Sequence, residues 1–183
     1  MAGRSDQQAT RSRVAVIFVT MAFSGLGLLP TAHALGGTCN GQLASSPSLD
    51  ASDQHGPVTL IGTAGADVII GSSHGDYIDG AGGNDVICAD SGGDTVVGGT
   101  GVDRIWGDKG DDSIHGDAGT DNLYGGKGDD VLTGGAGEDR MQGGDDDDTL
   151  NGVDGGSEDD MNGGDDEDTC TADDNDDLDD CEF

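Results

Sequence analysis

Between residues 98 and 142 the chain repeats one pattern of polar and apolar positions every nine residues. This segment divides without a gap into GGTGVDRIW, GDKGDDSIH, GDAGTDNLY, GGKGDDVLT and GGAGEDRMQ. Each unit has glycine at positions 1 and 4, aspartate at position 6 and an apolar residue at position 8. Because alternate residues of a strand point to opposite sides, positions 7 to 9 predict a short strand with position 8 facing inward. The glycines before it predict a turn, since glycine readily adopts positive φ values.

The same frame extends in both directions. Earlier units begin at residues 62, 71, 80 and 89, and a later unit begins at residue 143. A two-residue insertion near Gly152 and Val153 then shifts the frame, and units at 154–162 and 163–171 follow. Position 6 is aspartate and position 8 is apolar in all twelve units. A repeat of this length predicts stacked structural units with a thin, continuous core.

Composition alone leaves two kinds of protein open. The chain of 183 residues has 36 glycines, 38 acidic and 7 basic residues, and only 3% aromatic residues. It is therefore either an acidic disordered chain or a repeat protein whose folding depends on a metal. The strict period excludes disorder for the array, because low complexity would scatter both residue classes over all nine positions. The formal net charge of -31 argues against nucleic acid and anionic membranes as partners and favours cations.

On the motif G-G-x-G-x-D-x-U-x, in which U is apolar, the chain resembles the RTX family of hemolysin-type calcium-binding repeats. The resemblance covers residues 62 to 171 and is closest in the five central units. It implies an all-β fold, a right-handed parallel β-roll with two nonapeptides per turn. It also implies that Ca²⁺ lies between loops one full turn apart.

Two units per turn would place the aspartates of position 6 in two columns, one along each edge of the roll. Two stacked loops could together supply the six to eight oxygen ligands that Ca²⁺ prefers, from carboxylates and backbone carbonyls. The predicted metal ligands are Asp67, Asp76, Asp85, Asp94, Asp103, Asp112, Asp121, Asp130, Asp139, Asp148 and Asp168. Asp159 also occupies position 6, but it follows the insertion and is not among the predicted ligands.

Calcium is expected to be part of the fold. Strands stacked about 4.8 Å apart would bring the carboxylates of one column so close that they repel strongly without a cation. We therefore expect the metal-free chain to be largely unfolded and to fold as several Ca²⁺ ions bind. The affinity expected for an extracellular module of this kind is about 10⁻⁴–10⁻³ M.

The motif weakens toward both ends of the array. The departures are His74, Ala89–Asp90, Asp146, Ser157 and Asp166 at positions where the motif has glycine. Aspartate tolerates a left-handed backbone better than most residues, so these loops can still form. The regular calcium-binding part is predicted to run from Gly80 to Gln142.

The first 34 residues predict a secretory signal peptide. Three arginines precede an apolar run from Val14 to Leu29, which is shorter than the ~20 residues needed to span a bilayer. Pro30 ends the run, and an A-x-A site predicts cleavage after Ala34, so a membrane anchor is the less favoured alternative. We expect a secreted, extracellular protein with a signal peptide (1–34), an N-terminal capping segment (35–61), a β-roll (62–171) and an acidic C-terminal cap (172–183).

All four cysteines follow the predicted cleavage site, where disulfides are permitted. Cys170 occupies the last inward position, and a Cys170–Cys181 disulfide is predicted to hold the C-terminal cap. The other pair would be Cys39–Cys88. Four cysteines allow three connectivities. Short exported RTX-type proteins with a cysteine in the first segment and a final cysteine pair are similar to this arrangement.

The acidic tail has aspartate or asparagine at alternate positions, as a calcium-binding loop does. Asp173, Asn175, Asp177 and Asp179 resemble D-x-[DN]-x-[DN], but Leu178 stands where such a loop needs glycine. A solvated acidic run is therefore the favoured interpretation.

Position 9 places an apolar column on the outer face of one sheet. Its members are Ile70, Cys88, Trp106 and Tyr124, with Val68 and Val86 beside them at position 7. Exposed apolar stripes are usually covered, so we expect residues 35–61, including Leu43, Val58 and Leu60, to pack over it through a tether at Cys39. The other interpretation is a surface around Trp106 and Tyr124 for a protein or glycan partner.

No enzyme is predicted. Residues 35–61 are too few for an active site with its own core, and the chain has neither H-E-x-x-H nor G-x-S-x-G. Two functions remain, a secreted protein whose folding is gated by calcium, and a structural or adhesive surface protein that presents the face around Trp106 and Tyr124. Calcium ions are the predicted partners. Nucleic acid and membrane insertion are not predicted, and a cell-surface or matrix partner stays open.

Overall fold

The computed structural model describes residues 38–39, 42–43, 48–52 and 55–182. The predicted signal peptide and its cleavage site lie outside these residues. The described part of the chain consists of strands and turns, and it contains no helix long and apolar enough to cross a membrane.

The strands form a two-stranded hairpin and two parallel sheets. The seven-stranded sheet contains β4 (Thr59–Ile61), β6 (Tyr77–Asp79), β8 (Thr95–Gly101), β10 (Ser113–Gly119), β12 (Val131–Ala136), β14 (Thr149–Asn151) and β16 (Thr169–Thr171). The eight-stranded sheet contains β3 (Ser48–Asp50), β5 (Val68–Ile70), β7 (Val86–Cys88), β9 (Arg104–Lys109), β11 (Asn122–Lys127), β13 (Arg140–Asp145), β15 (Asp160–Gly164) and β17 (Asp177–Asp179). From β3 onward, consecutive strands alternate between the two sheets, so the chain winds as a solenoid with two units per turn.

The core is a column of position 8 side chains from both sheets. Ile87, Ile105 and Leu123 lie in register on β7, β9 and β11, and each is 0% exposed. The position 8 side chains that follow along the chain, through Met161, are also buried, each at most 1% exposed. Burying such a side chain stabilises the fold by about 1.5–3 kcal/mol. The predicted fold class, an all-β parallel roll with two nonapeptides per turn and position 8 inward, is confirmed.

The turns depend on left-handed backbone at positions 2 and 4. Gly99 has φ 102° and Gly101 has φ 138°. A Cβ on Gly101 would overlap the backbone carbonyl of Gly83 in the previous turn, so only glycine fits here. Asp108 (φ 72°) and Asp146 (φ 82°) adopt the same conformation, which confirms that aspartate can replace glycine in these loops.

At the N-terminal end both sheets extend beyond the nonapeptide array. Strand β3 pairs with β5, and β4 pairs with β6, each in parallel register. Val58 and Leu60 are 4% and 1% exposed and belong to the interior column. The expectation that they pack over the outer apolar stripe is therefore wrong, because they occupy inward positions of an additional turn. The side chain of Leu43 lies outside the described residues.

The outer stripe is covered at one end by the hairpin of β1 (Thr38–Cys39) and β2 (Gln42–Leu43). The predicted Cys39–Cys88 disulfide is present, and Cys39 is fully buried against Ile70 and Val86. Further along the stripe, Trp106 and Tyr124 are half-buried. Their rings stack with centroids 5.4 Å apart and planes within 6°.

The C-terminal tail continues the roll. Strand β17 pairs with β15, which places Leu178 beside Met161 at the end of the core. The predicted Cys170–Cys181 disulfide is present. The interpretation of the tail as a solvated run is wrong for Leu178, which follows the inward pattern and packs onto the interior column, whereas Asp177 and Asp179 beside it are exposed.

Candidate metal centre

Position 6 builds two ladders of buried aspartates, one along each edge of the roll. The first ladder consists of Asp67, Asp85, Asp103, Asp121, Asp139 and Asp159, and the second of Asp76, Asp94, Asp112, Asp130, Asp148 and Asp168. All twelve side chains are between 0% and 5% exposed. The structure thus brings every predicted ligand into one of two continuous columns.

Backbone hydrogen bonds hold each ladder in register. The N–H of Asp103 donates to Oδ1 of Asp121 at 2.8 Å, and the N–H of Asp121 donates to Oδ1 of Asp139 at 2.8 Å. The second ladder repeats this pattern, with the N–H of Asp112 donating to Oδ1 of Asp130 at 2.7 Å. From Asp76 onward, one oxygen of each ladder carboxylate is therefore used to stack the turns.

The other carboxylate oxygen is buried without a hydrogen-bond partner among the described residues. This is Oδ2 in every ladder aspartate from Asp85 to Asp168. A Cβ added to Gly80 would lie 2.5 Å from both Oδ2 of Asp85 and the backbone oxygen of Gly98. The glycine at position 1 therefore leaves a narrow space. The carboxylate oxygen of its own unit and a backbone carbonyl oxygen of the next turn both lie beside this space.

The burial of these carboxylates changes their titration. Loss of hydration is the largest effect and raises the pKa from 3.8 to about 7 for Asp85, Asp94, Asp112, Asp121 and Asp148. The backbone hydrogen bond to Oδ1 opposes this shift, and repulsion from neighbouring carboxylates adds to it. Near neutral pH these groups must therefore hold a proton or pair with a cation.

The first aspartate of each ladder has a different environment. Oδ2 of Asp67 accepts the N–H and hydroxyl of Thr63 at 2.5 and 2.9 Å. Both oxygens of Asp76 are occupied, Oδ2 by the N–H of Ser72 at 2.7 Å and Oδ1 by Val58 N–H and the Ser72 hydroxyl at 2.8 and 3.0 Å. Among the predicted ligands, Asp76 is therefore the least suited to a metal, because Ser72 at position 2 and the N–H of Val58 together occupy both oxygens of its carboxylate.

Asp159 is a ladder member that the sequence analysis left out. Its Oδ1 accepts the N–H of Asp139 at 2.8 Å, and the residue is 0% exposed. The frame was misplaced, because Gly152 and not Asp154 occupies position 1: its N–H donates to the carbonyl of Thr171 at 2.9 Å. The two extra residues therefore lie within the loop. The glycine at position 152, directly after a strand, was the signal that could have shown this.

The insertion loop is tied down by a carboxylate outside the ladders. Asp154 accepts backbone N–H bonds from Gly137 at 3.2 Å and from Gly156 and Ser157 at 3.0 Å. These bonds lower the pKa of Asp154 to about 2. An ionised Asp154 thus allows eleven residues, 152–162, to replace nine without breaking the ladder.

The donor set consists of hard oxygen atoms, which suits Ca²⁺. Within the described residues no three acidic, histidine or cysteine side chains converge as a metal cluster. An ion here would therefore need backbone carbonyls beside the carboxylates. Adjacent loops can supply such carbonyls, as the oxygen of Gly98 beside Asp85 shows.

The fold and the ladders define a class of protein, a parallel β-solenoid with a column of carboxylates along each edge. The chain belongs to the family of the RTX calcium-binding nonapeptide repeat, whose model matches four times, at residues 59–87, 89–123, 115–150 and 124–157. These matches cover more than half of the chain and confirm the resemblance. No curated protein and no solved structure matches the chain. Its repeats are thus of the calcium-binding kind.

Proposed function

We propose that this is a secreted, non-enzymatic protein that binds several Ca²⁺ ions and folds as they bind. The observation that carries the proposal is the unpartnered, buried carboxylate oxygen repeated from Asp85 to Asp168. An ionised carboxylate is strongly disfavoured in such an environment unless a cation accompanies it. Ca²⁺ would supply that positive charge and would connect successive turns.

The proposed ligands are the ladder aspartates whose loops contain left-handed residues at two positions. They are Asp85, Asp94, Asp103, Asp112, Asp121, Asp130, Asp139, Asp148, Asp159 and Asp168. Asp67 and Asp76, at the N-terminal ends of the ladders, are set apart because their loops contain no left-handed residue and because Thr63 and Ser72 donate to them. Oδ1 of Asp67 is nevertheless buried without a hydrogen-bond partner among the described residues. The expected affinity is about 10⁻⁴–10⁻³ M.

A calcium titration followed by circular dichroism tests the proposal. The informative variant is Asp121→Asn, which keeps the side-chain shape and an oxygen for the N–H of Asp103 but removes the charge. The matched control is Asp117→Asn, an exposed aspartate with φ 73° in the same loop. Asparagine tolerates that backbone conformation, so the control removes an equal charge without strain.

Wild type and the Asp117→Asn variant should gain sheet cooperatively over the same calcium range. The Asp121→Asn variant should need several-fold more calcium, because one carboxylate is missing from a central site. Equal calcium requirements for all three proteins would contradict the assignment of the ladders. A sheet spectrum that is complete without metal at neutral pH would contradict calcium-dependent folding itself.

Export is the second part of the proposal. Two disulfides support it, because such bonds persist in oxidising compartments outside the cytosol. We propose the division into signal peptide (1–34), N-terminal cap (35–61), roll (62–171) and C-terminal cap (172–183), with strands β3 and β4 of the first cap added to the ends of the sheets. Intact-mass measurement of the exported protein should give a chain that starts at Leu35, and a retained N-terminus would contradict cleavage there.

The absence of enzymatic activity is likewise proposed. The described residues from 55 to 182 all belong to the roll and its turns, whose core is one side chain thick. The remaining capping segment is too short for a second core. Calcium binding and calcium-dependent folding are then the activity of the protein.

A second candidate function is adhesion through the outer face of the eight-stranded sheet. The half-buried stack of Trp106 and Tyr124 lies on this face, and Arg104 and Arg140 occupy position 7 of the same sheet. A half-buried aromatic stack offers apolar ring faces to a glycan partner. With calcium present, wild type should be retained on an immobilised neutral polysaccharide, and Trp106→Ala should lose retention. Tyr77→Ala, an exposed aromatic on the opposite sheet, is the control that should be retained. Passage of wild type through the column would exclude this candidate.

A further inference from the structure

The last aspartate of each ladder needs an acceptor for its backbone N–H. Along a ladder, the carboxylate of the next turn accepts the N–H of each aspartate, as Asp168 accepts that of Asp148 at 2.8 Å. The motif ends with the unit at 163–171, so no further nonapeptide follows Asp159 or Asp168. Their N–H groups point to the position that a further turn would occupy, and their Oδ2 atoms have no hydrogen-bond partner among the described residues.

The tail fills that place with two other carboxylates. The N–H of Asp168 donates to Oε2 of Glu182 at 2.7 Å. The N–H of Asp159 donates to Oδ1 of Asp176 at 3.1 Å. These two bonds repeat the pattern of the ladders, although neither acceptor belongs to a nonapeptide. Oδ2 of Asp176 accepts the N–H of Asp173 at 2.6 Å, so both oxygens of Asp176 are occupied.

The tail also replaces the backbone carbonyl of the missing turn. A Cβ on Gly163 would meet the carbonyl oxygen of Asp180 and, at 2.5 Å, Oδ2 of Asp168. Gly80 has the equivalent neighbours, the carbonyl of Gly98 and Oδ2 of Asp85. The end of the second ladder therefore has both kinds of oxygen found at an internal turn.

We propose that Glu182 is the terminal calcium ligand of the second ladder and closes its last site beside Asp168. This proposal rests on the proposed binding of calcium by the ladders. Asp168 is 0% exposed, so an added carboxylate beside it favours a cation. The neighbouring Cys170–Cys181 disulfide and the bridge between Thr169 and Glu182 fix the position of the glutamate.

Calcium stoichiometry by calorimetry tests the proposal on the full chain. Glu182→Gln retains an oxygen that can accept the N–H of Asp168 but loses the charge that a calcium ligand needs. Glu167→Gln is the matched control, an exposed glutamate in the preceding loop with the same change of charge.

The Glu182→Gln variant should bind about one ion fewer than wild type, or bind its last ion at least ten-fold more weakly. The Glu167→Gln variant should match wild type. Identical titrations of both glutamine variants would overturn the proposal while leaving calcium binding by the ladders intact. A wild-type chain that binds no calcium would instead refute the proposed function.

Circular dichroism at saturating calcium covers the case in which Glu182→Gln does not fold. Glu182→Asp then decides, because it restores a carboxylate on a shorter side chain. Recovery of the sheet by the aspartate variant supports a ligand role. Failure to recover it would show that a carboxylate at this position does not restore the site, and would overturn the proposal.

Discussion

Acid should replace calcium in folding this protein. Burial raises the pKa of five ladder aspartates from 3.8 to about 7, among them Asp112 and Asp121. Because their pKa is higher in the folded chain than in the unfolded chain, the protonated ladders stabilise the roll fully below about pH 4. This stabilisation is lost as the pH rises through about 7.

The size of the effect is comparable with the stability of a whole domain. A shift from 3.8 to about 7 corresponds to about 4 kcal/mol for each ionised aspartate. Halving this value for screening by solvent and ions leaves about 2 kcal/mol. Five such groups then cost about 10 kcal/mol, and typical domains have only 5–15 kcal/mol of stability. The metal-free roll should therefore be largely unfolded at pH 8.

The assay is far-ultraviolet circular dichroism of calcium-stripped protein between pH 8 and pH 5. Sheet signal should rise as the pH falls from about 7 toward 5. Calcium added at pH 8 should restore the same spectrum. A metal-free chain that is fully folded at pH 8, or one that stays unfolded down to pH 5, would refute the reasoning.

Three further substitutions test the packing of the roll by thermal unfolding and fluorescence at saturating calcium. Gly80→Ala should lower the free energy of unfolding by about 2–4 kcal/mol, because its Cβ would meet two oxygens at 2.5 Å. Gly56→Ala, with open space around it, is the control and should be nearly neutral. Equal melting temperatures for the two variants would contradict the close approach at Gly80. Leu123→Ala, at a fully buried position, should cost about 2–5 kcal/mol, and Val131→Ala, at a 44% exposed position, should cost much less. Replacing Cys39 and Cys88 by serine removes the disulfide that closes a 49-residue loop, and should lower the free energy of unfolding by up to about 4 kcal/mol. It should also shift the fluorescence emission of Trp106 toward that of a solvent-exposed tryptophan. An unchanged emission would show that the hairpin does not shield the aromatic stack.

Much of the roll could be predicted from the nonapeptide pattern because the fold is locally determined. A residue such as Leu123 is inward since position 8 alternates with outward neighbours, and this needs no knowledge of distant contacts. Both disulfides were also predicted, and the cysteines at inward position 170 and at outward position 88 constrained them.

The ends of the roll could not be predicted in the same way, because there the chain departs from the motif while retaining the stacking geometry. Val58 occupies the place of a ladder aspartate, and its side chain joins the core. Leu178 takes an inward position in a tail whose composition suggests a solvated run. Asp159 belongs to its ladder only because the insertion bulges within a loop instead of preceding it. For Val58 and Leu178 the deciding information is the strand pairing and not the local sequence, whereas Gly152 is a local sign of the longer loop.

The central claim is that calcium occupies the ladders and that its binding is the folding transition. The most direct test measures bound calcium and sheet content in the same samples at neutral pH, by equilibrium dialysis and circular dichroism. The account predicts that several ions bind per chain and that both signals share one midpoint, near 10⁻⁴–10⁻³ M. A chain whose sheet is complete before any calcium binds would contradict it.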